Sequence, residues 1–159
     1  MTDPKRLADE AHATRTGSAG WMVQRLAAQV TDDMRARLDA LGLKMDHFIM
    51  LMSLAEMQGA NQSEVGARVG LANYTVTRAL DALEDRGLTE RRPDEGSRRA
   101  HKVFLTRDGE ALMPQIFQIV RDLNQNLLSE VPEPDRAVFL RTLSHLVRAG
   151  TAPCAEGTR

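Results

Sequence analysis

Five polar residues between positions 73 and 78 have side chains of the types that contact nucleic acids: Asn73, Tyr74, Thr75, Thr77 and Arg78. Asparagine and arginine can form paired hydrogen bonds with adenine and guanine, and threonine can contact a base or a phosphate. Such side chains read a duplex when the N-terminal part of one helix presents them together. The chemistry that these residues predict is therefore recognition of base edges and phosphates.

The residues around this stretch have the spacing of a helix-turn-helix. Gly66 is a small residue that lets two helices cross closely, Gly70 makes a tight turn four positions later, and Val76 anchors the second helix in the core. Four further apolar residues are predicted to face inward with Val76: Leu71, Ala79, Leu80 and Leu83. Gln62, at the start of the first helix, is added to the candidate DNA contacts.

A basic hairpin is predicted directly after this unit. Residues 88–92 and 101–106 alternate partially like strands, and the turn-rich residues 93–100 lie between them. From Arg86 to Arg107 seven basic residues accompany three acidic ones, whereas the whole chain has a formal net charge of −1. This local excess favours a duplex-binding surface, and we include Arg98, Arg99 and Lys102 among its candidate contacts.

Apolar residues at helical spacing predict the elements that position this unit. Helices are predicted over 21–41, 46–58, 63–69 and 73–86, from near Arg107 to Leu127, and over 135–149. The 159 residues amount to a single domain. The predicted fold class is mainly α with a small β-hairpin. We divide the chain into a polar N-terminal arm (1–17), dimerisation helices (18–45 and 107–150), a winged-helix DNA-binding lobe (46–106) and a mobile tail (151–159).

The longest apolar stripes also predict self-association. The stripes at 21–41, 112–127 and 138–147 hold more apolar surface than a small winged-helix core can cover. Exposed apolar surface of that extent usually marks an interface. A two-fold dimer would present two reading helices about one DNA turn apart, roughly 34–36 Å.

From about Trp21 to the last helix the chain resembles the MarR-type winged helix-turn-helix transcriptional regulators. The resemblance is densest over 73–88, in the arginines at 91–92 and 98–99, and in the Leu-Thr-x-x-Gly sequence at 105–109. It implies an interlocked homodimer that places its recognition helix in the major groove, and its wing in the minor groove, of a pseudo-palindromic site. Carried onto this sequence, Thr75, Thr77 and Arg78 would face the major groove, and Arg99 would enter the minor groove.

One position departs from the pattern of that family. The acidic residue that usually braces the wing arginine falls at Ser97 in this chain, and the nearby Glu95 is a candidate replacement. The pose of Arg99 therefore depends on how the hairpin tip folds.

Two functions remain open at this level. The first is a dimeric repressor that binds a specific double-stranded DNA site and is released by a small aromatic or anionic effector. The second is a winged-helix protein-interaction module without specific DNA binding. Trp21, Arg25, His47 and Met50 are the candidate effector residues. Their competing interpretation is structural, with Trp21 and Met50 in the core and His47 capping a helix.

Other classes of function find no support in the sequence. Cys154 is the only cysteine and lies in the polar tail, which argues against a disulfide, a cysteine metal site or a redox role. The four histidines, His12, His47, His101 and His145, lie on separate elements. No nucleophile–base spacing or phosphate-binding glycine loop is present, so we expect no enzyme activity, cofactor or metal. Without a signal sequence or a long apolar run, the chain is predicted to be cytoplasmic and to have no membrane partner.

Overall fold

The computed structural model describes residues 3–94 and 97–150, with side chains for all of these except 97–100 and 150. Glu95, Cys154 and the tail at 151–159 lie outside the described residues. The described part is mainly helical with one small antiparallel sheet, which confirms the predicted fold class. Its elements are α1 (Pro4–Thr16), α2 (Ala19–Asp39), α3 (Met45–Glu56), β1 (Ala60–Asn61), α4 (Gln62–Val69), α5 (Asn73–Asp85), β2 (Thr89–Asp94), β3 (Ser97–Leu105), α6 (Arg107–Ser129) and α7 (Glu133–Gly150).

The chain divides into two compact units, the first ending at Leu123 and the second beginning at Asn124. This boundary falls inside α6, and the prediction of a single domain remains a prediction. The first unit contains the apolar core, to which α2, α3, α4, α5, β3 and α6 all contribute. Its fully buried large side chains are Leu38, Leu43, Met50, Leu51, Leu54, Val65, Val76, Leu80, Leu83, Val103 and Ile116.

Side-chain caps set the starts of the first two helices. The Asp3 carboxylate accepts a hydrogen bond from the Lys5 amide at 3.1 Å, and Pro4 occupies the first turn, where no amide donor is needed. Ser18 Oγ accepts a bond from the Trp21 amide at 3.4 Å, which explains why α2 begins two residues before the predicted position. The N-terminal arm is thus a helix, and none of the residues of α1 is buried.

The N-cap of α3 is Lys44, although aspartate at position 46 is the residue type that the sequence favours for a cap. The helix begins at Met45, and the Lys44 amide donates to Nδ1 of His47 at 3.3 Å. Asp46 lies in the first turn, where its carboxylate accepts a bond from the His47 amide at 3.0 Å. The imidazole of His47, at the third helical position, therefore accepts the hydrogen bond of the Lys44 amide, which the Asp46 side chain leaves unbonded.

A capping box precedes α4. Asn61 Oδ1 accepts from the Glu64 amide at 3.0 Å, and the Glu64 carboxylate accepts from the Asn61 amide at 2.7 Å. Gly70 ends the helix at φ +66°, a left-handed conformation that favours glycine. A Cβ on Gly66 would lie 3.4 Å from Val76 Cγ2, so an alanine would fit at this crossing and a larger side chain would not.

The hairpin is longer than predicted, and a third strand joins it. Only residues 95–96 separate β2 from β3, and β1 pairs with the other edge of β3 to give the order β1-β3-β2. Two residues are too few to show strand alternation, which is why β1 leaves no sequence signal. The Asn61 cap is thereby fixed to the sheet opposite Lys102, so the wing and the helix-turn-helix share one framework.

The Leu-Thr-x-x-Gly sequence forms a tight junction between the wing and α6. Thr106 Oγ1 donates to the Gly87 carbonyl oxygen at 2.6 Å and accepts from the Gly109 amide at 3.1 Å. The Thr106 amide donates to the Leu88 carbonyl oxygen at 3.1 Å. A Cβ on Gly109 would lie only 2.1 Å from that same Leu88 oxygen, so only glycine permits this approach.

The second unit contains the end of α6 and the whole of α7. α7 begins two residues before the predicted start, because Pro134 lies in the first turn, where its missing amide costs nothing. The Arg136 guanidinium donates to the Leu128 and Val131 carbonyl oxygens, both at 3.0 Å, and so closes the turn before α7. No helix of the described part is long and apolar enough to cross a bilayer.

Candidate nucleic-acid interface

The predicted reading helix, α5, has one buried face and one open face. Val76, Ala79, Leu80 and Leu83 are each at most 1% exposed, as the helix-turn-helix spacing predicted. Tyr74 and Arg78 are exposed on the other face with Thr75 partly exposed beside them, while Asn73 is exposed in the first turn and Thr77 is partly exposed at the edge of the buried face. The structure therefore brings the five predicted readers together at the N-terminal end of one helix.

Tyr74 and Arg78 form a pair on the open face, one helical turn apart. Nη1 of Arg78 donates to the Tyr74 hydroxyl at 3.0 Å, and its guanidinium carbon lies 5.4 Å from the centre of the Tyr74 ring. Both distances are within the usual range for a hydrogen bond and a cation–π contact. The Tyr74 side chain is 68% exposed, so this pair meets solvent and not the core.

Thr77 is already engaged within the protein. Its hydroxyl donates to the Asn73 carbonyl oxygen at 2.9 Å and accepts a short hydrogen bond from the Gln62 side-chain amide. The Gln62 bond joins the first helix of the helix-turn-helix to the second. Both residues thus have a structural role in the free protein.

Two of the arginines counted in the basic hairpin bind acceptors within the protein and so hold α5 in place. Arg86 donates to the carbonyl oxygens of Gly42 and Leu41 at 2.6 and 3.0 Å, which lie in the turn between α2 and α3. Arg91 on β2 forms ion pairs with Asp81 and Glu84 of α5, and its amide donates to Glu84 at 3.1 Å. Burial opposes the charge of Arg91, but its bonds to these carboxylates dominate and raise the pKa of its guanidinium.

Two further cations of the wing are paired within it. Arg92 pairs with Glu90 and lies 4.5 Å from the centre of the Phe104 ring, and Lys102 lies 3.6 Å from the Asp94 carboxylate. The positive excess counted along the sequence therefore overstates the free charge of this region. Lys102 is exposed beside Asp94, and the side chains of Arg98 and Arg99 lie outside the described ones.

An acidic side chain is present near the hairpin tip, although not at Ser97. In the strand register Asp94 lies opposite Ser97, next to an irregularity between Pro93 and Asp94. The carboxylate that pairs with Lys102 thus comes from β2 and not from β3. Glu95, the replacement suggested by the sequence, lies outside the described residues.

The structure does not gather the four candidate effector residues into one cleft. Met50 is fully buried and His47 nearly so. Trp21 and Arg25 lie in the first two turns of α2, roughly 20 and 14 Å along the helix from Met34, the first buried residue of α2. Arg15 and Arg25 lie 5.7 and 6.0 Å from the centre of the Trp21 ring. Met50 is thus a core residue and His47 caps α3, as the structural interpretation expected, whereas Trp21 is only half-buried.

Protonation of His47 is expected to weaken the fold. Burial lowers the pKa of this imidazole, and Lys44 and Arg86 lower it further, while Asp46 partly opposes them. The unfolded chain takes up the proton near the ordinary value of about 6.5, but the folded chain resists it until a lower pH. The stability that neutral His47 provides is therefore fully present above a pH of about 6.5. It is lost as the pH falls from that value to the lower pKa of His47 in the folded chain.

We expect the urea midpoint to fall between pH 7.5 and pH 5, and to fall less in His47→Gln than in the wild type. His12→Gln is the control, because it removes the same kind of side chain from an exposed position on α1. Equal pH dependence in wild type and His47→Gln would show that the protonation of His47 does not cause the fall in stability.

Two open clefts in the first unit have the size of a small-molecule site. One of about 480 Å³ lies between α3 and α4, where Phe48, Met52 and Val69 adjoin the Glu56–Arg68 ion pair. The other, of about 370 Å³, lies between α2 and α6 beside Leu41, Ile119 and Arg37. The Arg37 Nε donates to Asp33 at 2.7 Å, a bond that raises the pKa of the guanidinium.

A helix-turn-helix followed by a hairpin wing, joined to a third strand, defines a winged-helix protein. Residues 43–101 match the model of the MarR family, a segment that runs from the end of the α2–α3 turn through most of β3. Over this segment the chain is similar to the MarR family.

Relatives extend the similarity beyond that segment. The chain is 27% identical over 127 residues to the HTH-type transcriptional repressor Rv2887 of Mycobacterium tuberculosis, which covers 80% of this chain and 91% of that one. The crystal structure of Rv2887 with salicylic acid covers 82% of this chain and 96% of that one, at 26% identity and a TM-score of 0.67. The repressor CouR bound to a 23-mer DNA duplex covers 84% and 95%, at 25% identity and a TM-score of 0.75.

Proposed function

We propose that the chain is a dimeric transcriptional repressor that binds a pseudo-palindromic double-stranded DNA site and is released by a small aromatic or anionic effector. The observation that carries this proposal is the two-faced α5, whose core face is fully buried while Asn73, Tyr74 and Arg78 remain open. Names of relatives as repressors, and one relative's complex with DNA, support the same function.

The N-terminal end of α5 supports a phosphate contact close to the readers. Its N-cap is Ala72, which offers no side-chain hydrogen bond to the first turn. The amides of a helix start carry partial positive charge and bind phosphate well. We propose that a backbone phosphate caps α5 and so sets the depth at which Tyr74, Thr75 and Arg78 meet the bases.

The exposed apolar stripe of α7 supports the dimer. Leu146 and Val147 are 57% and 61% exposed, and Phe139, Leu140 and Leu143 continue the same side of the helix. None of the described side chains of α7 is buried within the chain. A second copy that covers this stripe would remove it from water and bring a second α5 to the same duplex.

An aromatic acid is the effector class that we propose. Each cleft sets apolar side chains beside an arginine, Arg68 in one and Arg37 in the other, and the acid would compete there with Glu56 and Asp33, the carboxylates that pair with these arginines. One relative was crystallised with salicylic acid. Trp21 and Arg25 remain candidates for effector contacts, whereas a contact with Met50 would require the core to open. The cytoplasmic location predicted from the sequence stays part of this proposal.

Fluorescence anisotropy tests the DNA-binding function directly. The full chain is titrated into a labelled duplex from the DNA upstream of its own gene, and into a scrambled duplex, over a series of salt concentrations. We expect tight binding to the native duplex alone, with log affinity falling linearly with log salt as counterions are released. Salicylic acid is then added to the complex, and a fall in anisotropy would identify an aromatic acid as effector.

If the chain is instead a protein-interaction module, we expect no preference for a DNA sequence. In that case neither duplex is preferred, and Arg78→Ala leaves the weak binding unchanged. A sequence-independent result with the upstream duplex is followed by selection from a random duplex pool, because the operator can lie elsewhere. Failure to enrich any sequence from that pool would contradict the repressor function.

A further inference from the structure

Tyr74 is exposed on the open face of α5, so packing in the core does not explain its presence there. The Tyr74 side chain is 68% exposed, so it contributes little burial to the fold. The described contacts of its polar and aromatic groups are with Arg78, through the hydroxyl at 3.0 Å and the ring face at 5.4 Å. Four positions separate the two residues, which places them one above the other on the helix surface.

We propose that Tyr74 is a positioning residue that holds the Arg78 guanidinium ready to read a guanine in the major groove, an inference that rests on the proposed DNA-binding function. A free arginine on a surface samples many rotamers, and binding must restrict them. The cation–π contact with the ring and the hydrogen bond to the hydroxyl restrict the guanidinium before DNA binds.

The geometry leaves the reading edge of Arg78 available. A guanidinium has five N–H donors, and the Tyr74 hydroxyl accepts one of them. The remaining donors still provide a pair for O6 and N7 of guanine, the commonest specific contact of arginine. Because these donors are not used in the pair, the same arrangement can persist in the complex.

The neighbouring threonine strengthens the assignment of base readout to Arg78. The Thr77 hydroxyl is committed to the Asn73 carbonyl and to Gln62 within the protein. Of the residues predicted to face the major groove, Arg78 thus has the most free donors. The base preference of α5 should therefore depend on Arg78 more than on Thr77.

A selection experiment on the full chain tests this role and finds the preferred duplex sequence at the same time. Wild type, Tyr74→Phe, Arg78→Ala and the double variant each select from a random duplex pool, and their base preferences are compared position by position. Affinities for the selected site and for its single G·C replacements are then measured over a salt series. Because both side chains are exposed, the thermal midpoints should be equal, which controls for folding.

We expect Arg78→Ala to abolish the preference for G·C at one position in each half-site. Tyr74→Phe keeps the ring but removes the acceptor, and should reduce the same preference by about threefold to tenfold. Its salt slope should equal that of the wild type, because no charge is lost. In the Arg78→Ala background, Tyr74→Phe should have no further effect, since the tyrosine acts through the arginine.

Three results would overturn the proposal. Tyr74→Phe with wild-type preference would show that the hydroxyl positions nothing. An equal loss in both backgrounds would show that the hydroxyl contacts DNA itself. A wild-type chain that enriches no sequence would refute the DNA-binding function together with this inference, and so differs from the first two, in which the wild type still selects a site.

Discussion

Val147→Glu is expected to convert the dimer into a monomer and to lower affinity for the selected DNA site by at least about 100-fold. Val147 lies on the exposed apolar stripe of α7 with Leu146 and Leu143. A carboxylate there would have to lose its hydration when a second copy covers the stripe, at a cost that the remaining apolar contacts of the stripe do not recover. Each monomer would then hold only one half-site, and the gain from linked binding would be lost.

Sedimentation and fluorescence anisotropy measure the two parts of this expectation. His145→Glu is the matched control, because it adds the same charge about 200° around the helix, away from the stripe. That variant should remain dimeric and should keep most of its affinity. A Val147→Glu chain that stays dimeric would show that α7 does not form the interface, whatever its affinity for DNA.

Gly109→Ala is expected to lower the free energy of unfolding by about 2–3 kcal/mol. The added Cβ would lie 2.1 Å from the Leu88 carbonyl oxygen, and no rotamer change can relieve a clash between two backbone-fixed atoms. The junction can relax only by moving α6 away from the start of the wing. That movement would strain the bonds from Thr106 to Gly87 and Leu88.

Urea unfolding followed by circular dichroism checks this expectation. Gly20→Ala is the control, because a Cβ at Gly20 has Ser18 Oγ at 3.8 Å as its nearest neighbour. Alanine favours a helix over glycine, so this variant should gain up to about 1 kcal/mol. A Gly109→Ala chain as stable as the wild type would mean that α6 and Leu88 are not in close contact in solution.

The helix-turn-helix could be predicted from the sequence because its signals are local. A capping box at Asn61, a left-handed turn at Gly70 and inward residues three or four apart each depend on neighbours in the chain. The same locality explains the good prediction of α4 and α5 to within a residue. It also explains the exposure of Tyr74, Thr75 and Arg78, which lie on the face away from Val76 and Leu80.

The partners of charged side chains could not be predicted, because they depend on distant parts of the chain. Arg86 finds its acceptors 44 and 45 positions away, at Gly42 and Leu41. Arg91 and Lys102 are paired across elements, although a count along the sequence treats them as free cations. The effector residues failed to gather for the same reason, since helical spacing says nothing about which turn of α2 faces α3.

The anchoring of α5 separates what the protein recognises from what keeps it folded. Arg86 and Arg91 hold the C-terminal half and the back of the helix through Gly42, Asp81 and Glu84. The exposed reading side chains at the other end contribute little to stability, so substitutions there should change base preference at small thermodynamic cost. Descendants of such a chain can therefore diverge toward new operators by drift at a few surface positions, without passing through unfolded intermediates.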